Sequence, residues 1–239
     1  MAEPLLEVRD LAAGYGQIQV LWGLSFTLAA GEITCIVGSN GAGKSTLLRA
    51  ISGVVAKSGG SVTLAGRDLT AATPAEVLAA GIAHVPEGRR LFKGLPVRDN
   101  LILGAYLRRA SRGDLEASLD HVYGLFPILK ERRAQDATTL SGGEQQMCAI
   151  ARGLMGNPRL LMIDELSLGL APRAVEKLTE ALVAIRDSGV TILVVEQDVL
   201  TAFELARHGI VIETGRVALA GRTEDLMHEP RIRQAYLGI

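Results

Sequence analysis

The sequence predicts an α/β fold built on a parallel sheet and interrupted by a helical insertion. Three observations predict it. Short, almost wholly apolar runs such as Ile33–Val37, Leu160–Ile163 and Ile192–Val195 alternate with helix-length segments, and runs apolar on both faces read as buried strands of a parallel sheet. A glycine-rich segment joins one such strand to a helix. Between about Pro86 and Thr139 helical patterns dominate, and strand–helix alternation resumes after Ser141.

In chain order, Leu5–Val8, Leu24–Leu28 and Glu32–Val37 read as strands, the last running into the glycine-rich segment. Lys44–Ser52 reads as a helix starting there. Ser61–Leu64 and Ile82–Val85 are further short strands. The insertion carries helical patterns at Val97–Leu107 and Leu115–Phe126 and a basic stretch at Lys130–Arg133. A helix from Ser141 through Met155 leads to strand Arg159–Asp164, and a helix from about Arg173 to Asp187 leads to strand Val190–Glu196. Helix Val199–Ala206 precedes strand Gly209–Glu213, and Thr214-Gly215 is a hairpin turn before Val217–Ala220.

A chain of 239 residues buries one substantial core. Its formal net charge of −1 does not favour nucleic acid as a partner. Arginines cluster at Arg89-Arg90, Arg108-Arg109, Arg112 and Arg132-Arg133, and most read as solvated surface. No apolar run approaches the ~18–20 residues that span a bilayer. Met1-Ala2-Glu3-Pro4 lacks the pattern of a secretory leader, so a cytoplasmic location is expected. Cys35 and Cys148 lie far apart in core segments and read as small buried hydrophobes.

Three motifs carry chemistry. Gly38-Ser39-Asn40-Gly41-Ala42-Gly43-Lys44-Ser45, followed by Thr46, has the pattern of a phosphate-binding loop. Its glycines let backbone N–H groups turn towards phosphate oxygens, and the next helix adds its positive end. Lys44 supplies charge for the β- and γ-phosphates of a nucleotide, and the Ser45 hydroxyl suits Mg²⁺. Asp164 and Glu165 end an apolar strand next to this loop. Consecutive strand residues point to opposite faces, so the two acids are expected to differ in role. Asp164 suits a Mg²⁺ contact, and Glu165 suits the water that attacks the γ-phosphate. Ser141-Gly142-Gly143-Glu144 is a capping box opening a helix. Glycines inside a helix cost about 1 kcal/mol each relative to alanine. Here they leave N–H groups uncovered at a positive helix end, a second anion site, which makes sense if it closes over a nucleotide held by a facing chain.

From about Leu5 onward the chain resembles the ATP-binding subunits of ABC transporters. Leu140-Ser141-Gly142-Gly143-Glu144-Gln145-Gln146 matches that superfamily's signature. Val85-Pro86-Glu87-Gly88-Arg89-Arg90, Ser167-Leu168-Gly169-Leu170-Ala171-Pro172 and Ala235-Tyr236-Leu237-Gly238 resemble the second ATPase of bacterial branched-chain amino acid importers. The resemblance implies a P-loop NTPase core of ABC ATPase type, with an N-terminal antiparallel β portion and a helical subdomain. It implies a single domain, with residues 1–86 and 140–239 as nucleotide-binding core and about 87–139 as helical subdomain. It also implies roles. Tyr15 matches the aromatic that stacks on adenine. Glu87 stands where a glutamine usually contacts Mg²⁺ or water, and residues 87–104 match the surface where membrane permease subunits dock, Arg89 and Arg90 included. Gln197 matches the switch residue, usually histidine, that contacts the γ-phosphate. Leu166 replaces a usual proline, and Ala171 replaces an aspartate that bonds across the dimer.

The expected protein is an ATPase using ATP and Mg²⁺, peripheral on the inner face of the cell membrane. Its partners would be a second ABC ATPase subunit (or a second copy in isolation), two permease subunits and, indirectly, an extracytoplasmic solute-binding protein. Glu165, Lys44 and Gln197 would carry hydrolysis. Urea or amide import, and less so export, are alternatives. A chromosome-maintenance ATPase would need a long coiled coil between loop and signature, yet Ser141 follows Lys44 by only 97 positions. A small-molecule kinase has no use for the Ser141 helix start.

Overall fold

A computed structural model describes residues 4–108 and 110–237. The readings that fell on Met1 to Glu3, on Arg109 and on Gly238 lie outside the described residues. The chain runs through β1 (Leu6–Tyr15), β2 (Ile18–Leu28), β3 (Ile33–Val37), α1 (Lys44–Ile51), β4 (Lys57–Leu64), β5 (Arg67–Asp68), α2 (Pro74–Ala79) and β6 (Ile82–Val85). It continues through α3 (Val97–Leu103), α4 (Arg112–Leu125), α5 (Pro127–Glu131), α6 (Gly142–Leu154), β7 (Leu160–Asp164) and α7 (Pro172–Asp187). Then come β8 (Thr191–Glu196), α8 (Val199–Leu205), β9 (His208–Glu213) and β10 (Arg216–Arg222), followed by short helical turns.

Two sheets form. The six-stranded sheet has the order β10-β9-β3-β8-β7-β6. Its pairs are parallel except for β10, which returns antiparallel along β9. The four-stranded sheet, β2-β1-β4-β5, is antiparallel. Helices and the second sheet cover the parallel sheet on both faces, which is why β3, β7 and β8 are buried throughout. Side-chain parity sorts these strands between two cores. Cys35, Val37, Leu161, Ile163, Ile192 and Val194 pack with α3–α8. Ile36, Leu160, Met162, Leu193 and Val195 pack with α1 and the antiparallel sheet.

The predicted strands and helices form, with differences that include an eight-residue β4 where Ser61–Leu64 was expected and the unanticipated β5 and α5. The first two strands are longer than the apolar runs and make a hairpin across Gly16. Register shifts at three places break their alternation, so apolar spacing understates their length. The helix predicted over Val97–Leu107 ends at Leu103, because Gly104, Ala105 and Tyr106 donate three residues back instead of four. Helix α2 was not anticipated, although Thr73 and Glu76 form a capping box with Pro74 at the first helical position. Both cysteines are buried and free. Among the described residues no helix is long and apolar enough to cross a membrane.

Candidate functional site

The glycine-rich loop connects β3 to α1 at the end of the parallel sheet where such folds bind ligands. Gly38 is packed against β9, and a Cβ there would lie 2.3 Å from the Ile212 carbonyl oxygen. Gly43 caps α1 in a left-handed conformation, φ 105°, which a side chain would strain. Lys44 opens α1 and is buried. Its Nζ donates to the carbonyls of Gly38 at 2.8 Å and Ser39 at 3.3 Å, and lies 3.7 Å from Glu165 Oε1.

Asp164 and Glu165 both reach the loop and meet different partners there, although strand alternation alone would turn them to opposite faces. Asp164 is the last residue of β7 and has the parity of Leu160 and Met162, so it faces α1. Its Oδ1 accepts from the Ser45 hydroxyl at 3.2 Å. Glu165 lies just outside the strand with φ 55°, and this left-handed turn brings its carboxylate back to Lys44. Burial pushes the carboxyl of Asp164 above its ordinary value; the Ser45 bond opposes this and Glu87 adds to it. Burial also raises Glu165, with Lys44 opposing and Asp164 and Glu87 contributing.

Lys44, Ser45 and Glu165 border an open pocket of about 580 Å³, with Asp164 buried behind it. Asn40, Gly41, Gly43, Lys44, Ser45, Thr46, Glu87, Glu165 and Gln197 line it, and the only other lining residues are Val20 and Leu168. Loop residues 38, 39 and 42 shape the backbone behind it; Ala42 is buried and its carbonyl accepts from Gly215. Tyr15 stands outside the lining, 43 % exposed, so it is not a core aromatic. Its hydroxyl is held by Arg49 at 3.1 Å and meets the Thr46 hydroxyl at 3.5 Å. Gln197 is exposed just beyond β8. Leu166 is fully buried, anchoring the chain directly after Glu165.

The chemistry of Asp164 and Ser45 fits Mg²⁺. Asp164 Oδ2 is buried with no hydrogen-bond partner, beside the Ser45 hydroxyl on Oδ1. An orphaned carboxylate oxygen next to a hydroxyl at a phosphate loop is a donor set suited to a hard cation.

The serine-glycine-glycine segment lies elsewhere. Ser141 caps α6: its N–H donates to Glu144 Oε2 at 2.8 Å, and its hydroxyl accepts from the Glu144 N–H at 3.4 Å. Ser141, Gly142, Gly143 and Glu144 line a groove of about 980 Å³ with Leu170, Ala171 and the outer face of α7. That groove shares no lining residue with the phosphate-loop pocket. Gly143 has a packing reason the sequence did not reveal, since a Cβ there would approach the Ala174 Cβ to 2.7 Å.

Two of the arginines read as solvated are bonded into the fold. Arg108 donates to the Met155 carbonyl at 2.8 Å and to Ser118 at 3.0 Å. Arg89 reaches across to Gln145 Oε1 at 3.4 Å, beside Gly142. Gly88, Arg89 and Arg90 are all left-handed, and Arg152 of α6 pins this turn by donating to the carbonyls of Arg89 and Arg90.

Residues 21–167 match the ABC transporter family. The chain belongs to the ABC transporter family. It is 42% identical over 98% of its length to the high-affinity branched-chain amino acid transport ATP-binding protein BraG of Pseudomonas aeruginosa, all of which is covered. It is 34% identical to the probable branched-chain amino acid transport ATP-binding protein LivF of Archaeoglobus fulgidus, over 98% of this chain and 99% of that one. A solved ATP-binding subunit of an ABC transporter superposes with a TM-score of 0.83 at 30% identity, covering 98% of this chain and 96% of the other. The two sheets, the loop and the helical stretch are therefore the ATP-binding cassette fold of that family.

Sequence reasoning missed Glu196. It ends β8, is 1% exposed, and accepts from the Ser167 N–H at 2.7 Å and the Gln197 N–H at 3.2 Å. Burial pushes its carboxyl up, against the two backbone bonds. The legible signal was a glutamate closing an otherwise apolar strand.

Proposed function

We propose that the chain is the ATP-binding and ATP-hydrolysing subunit of a membrane importer for branched-chain amino acids. One observation carries the chemistry: Lys44, Ser45, Asp164, Glu165 and Gln197 converge on the phosphate loop from three separate strands and helices. The full-length likeness to BraG and LivF supports the solute class and the importer role.

The nucleotide's phosphates lie against the backbone of Gly38–Thr46, with Lys44 turning from the Gly38 and Ser39 carbonyls to the β- and γ-oxygens. Tyr15, tethered by Arg49, stacks on adenine. Ser45 and Asp164, together with Glu87, would hold Mg²⁺. When bound, the cation neutralises charge on the phosphate oxygens. Glu165 takes the proton of a water whose oxygen bonds to the γ-phosphorus, while the bond from that phosphorus to the β–γ bridging oxygen breaks, leaving ADP and phosphate. Gln197 donates to the γ-oxygens. Ser141–Glu144 of a facing ABC ATPase subunit close the site from the other side, because the groove they line is separate from the chain's own phosphate pocket.

The division into a core of residues 1–86 and 140–239 and a helical subdomain at about 87–139 belongs to this reading. Permease subunits dock near residues 87–104, where Phe92 is 50% and Leu103 38% exposed. In this reading the chain sits in the cytoplasm, peripheral on the inner face of the membrane, with the solute-binding protein acting indirectly and no nucleic acid involved. Co-purification with its membrane subunits, followed by ATPase assay in proteoliposomes, tests it. Leucine, isoleucine or valine with the binding protein should stimulate hydrolysis, and a rate indifferent to all three would refute the solute assignment.

A further inference from the structure

An apolar residue at position 196 would continue the pattern of β8 without a buried charge, and an ionised carboxylate there is costly unless fully bonded. Glu196 has the parity of Ile192 and Val194, and it does not line the phosphate-loop pocket. Its two oxygens are divided between two functional segments. Oε1 accepts from Ser167, two residues after Glu165, and Oε2 accepts from Gln197. The Glu165 N–H is tied to the Val195 carbonyl at 2.9 Å. The turn from Glu165 to Ser167 is thus fastened to the end of β8 at both ends. Between the fastenings Glu165 holds its left-handed φ of 55°. A non-glycine residue in that region is strained and persists only where its surroundings over-determine it. Val195 and Glu196 supply that constraint.

We propose that Glu196 is a positioning residue for hydrolysis: it locks the backbone after Glu165 and the backbone of Gln197 into one rigid turn. The base and the γ-phosphate contact then keep a fixed separation. This rests on the ATPase reading given above, in which Glu165 and Gln197 act on the same γ-phosphate. The turn meets the phosphate loop at the Glu165–Lys44 pair, and Tyr15 and Ser45 are bonded to other residues, so removing Glu196 impairs turnover and largely spares nucleotide binding.

The test uses the full chain with Mg·ATP, comparing steady-state turnover with affinity for a fluorescent ATP analogue. Glu196→Ala should lower kcat by roughly tenfold or more while affinity stays within about twofold. Glu196→Gln keeps one acceptor but turns a donor towards the other N–H, so its kcat should fall between parent and Glu196→Ala at unchanged affinity. Adding Glu196→Ala to Glu165→Gln should cause a smaller further loss than Glu196→Ala causes in the parent, because one of the two positioned groups is already gone. A Glu196→Ala chain with parental kcat overturns the proposal, as does one whose kcat and affinity fall in step. If Glu196→Ala does not fold, Glu196→Gln decides alone, and parental kcat in it overturns the proposal. A parent chain without any Mg·ATP turnover overturns both this inference and the ATPase reading. An active parent with a fully active Glu196→Ala variant overturns only the inference.

Discussion

Asp164 and Glu165 are neighbours in sequence and serve different partners because one ends a strand and the other turns out of it. Asp164 meets Ser45, and Glu165 meets Lys44. Replacing Glu165 by Gln keeps the shape and removes the base, so turnover should fall by roughly 10²–10⁴ while ATP stays bound in a closed dimer. Nucleotide trapping followed by gel filtration reads this, and unaltered turnover would sink the role of Glu165. The raised carboxyl of Glu165 gives a pH dependence. The base must be ionised, so turnover should decline on acidification at a higher pH than an ordinary glutamate would cause. The stability contribution has the opposite sense. A raised carboxyl favours the folded chain at acid pH, and that contribution is lost as pH rises through the raised value. Glu165→Gln should therefore raise Tm relative to the parent at pH 8, with a smaller gain near pH 4. The switch position supplies no titration of its own, since Gln197 does not ionise. Gln197→Ala should cut turnover with little loss of ATP binding, and Gln197→His should add a limb to the pH–rate profile near pH 6–7. An unchanged rate in the alanine variant would remove Gln197 from the mechanism.

At the scale of elements, α6 joins a capped start to tight packing. Ser141→Ala removes the cap and should cost about 1 kcal/mol of stability. Gly143→Ala is more informative. Helix propensity alone predicts a gain of about 1 kcal/mol, but the new methyl would crowd Ala174 of α7, and overpacking costs about 1–3 kcal/mol. Urea unfolding should show no gain or a net loss for Gly143→Ala. At Gly142 the nearest obstacle is the guanidinium tip of the long Arg89 side chain at 3.2 Å, which can shift by a few tenths of an ångström, so Gly142→Ala should fold normally and lose activity by covering the backbone N–H groups. The same elements show what the sequence could convey. Loop, cap and buried strands were legible because each depends on local residue type and spacing. The orientation of Glu165 was not, because its φ is imposed by the end of β8. The extents of β1 and β2 were obscured by bulges, and Glu196 was masked by the neighbouring Gln197, which drew the functional reading.

At the scale of the molecule, the phosphate-loop pocket and the signature groove have no lining residue in common. In the proposed function, a nucleotide on Lys44 is closed in by Ser141 of another chain. Hydrolysis by the isolated chain should be poor when dilute and rise with the square of protein concentration. The surface near Phe92 is linked inward: Arg152 lies over the Phe92 ring at 5.4 Å and bonds the turn after Glu87. A permease helix pressing there would bear on α6 and on the segment that lines the phosphate pocket. The most direct test of the shared site mixes two variants of the full chain. Lys44→Ala lacks a working loop but keeps its signature, and Ser141→Arg lacks a working signature but keeps its loop. Each should be inactive alone, and their mixture should recover Mg·ATP hydrolysis, since mixed dimers contain one complete site. A mixture no more active than either variant, or a monomer that hydrolyses ATP at full rate, would contradict the account.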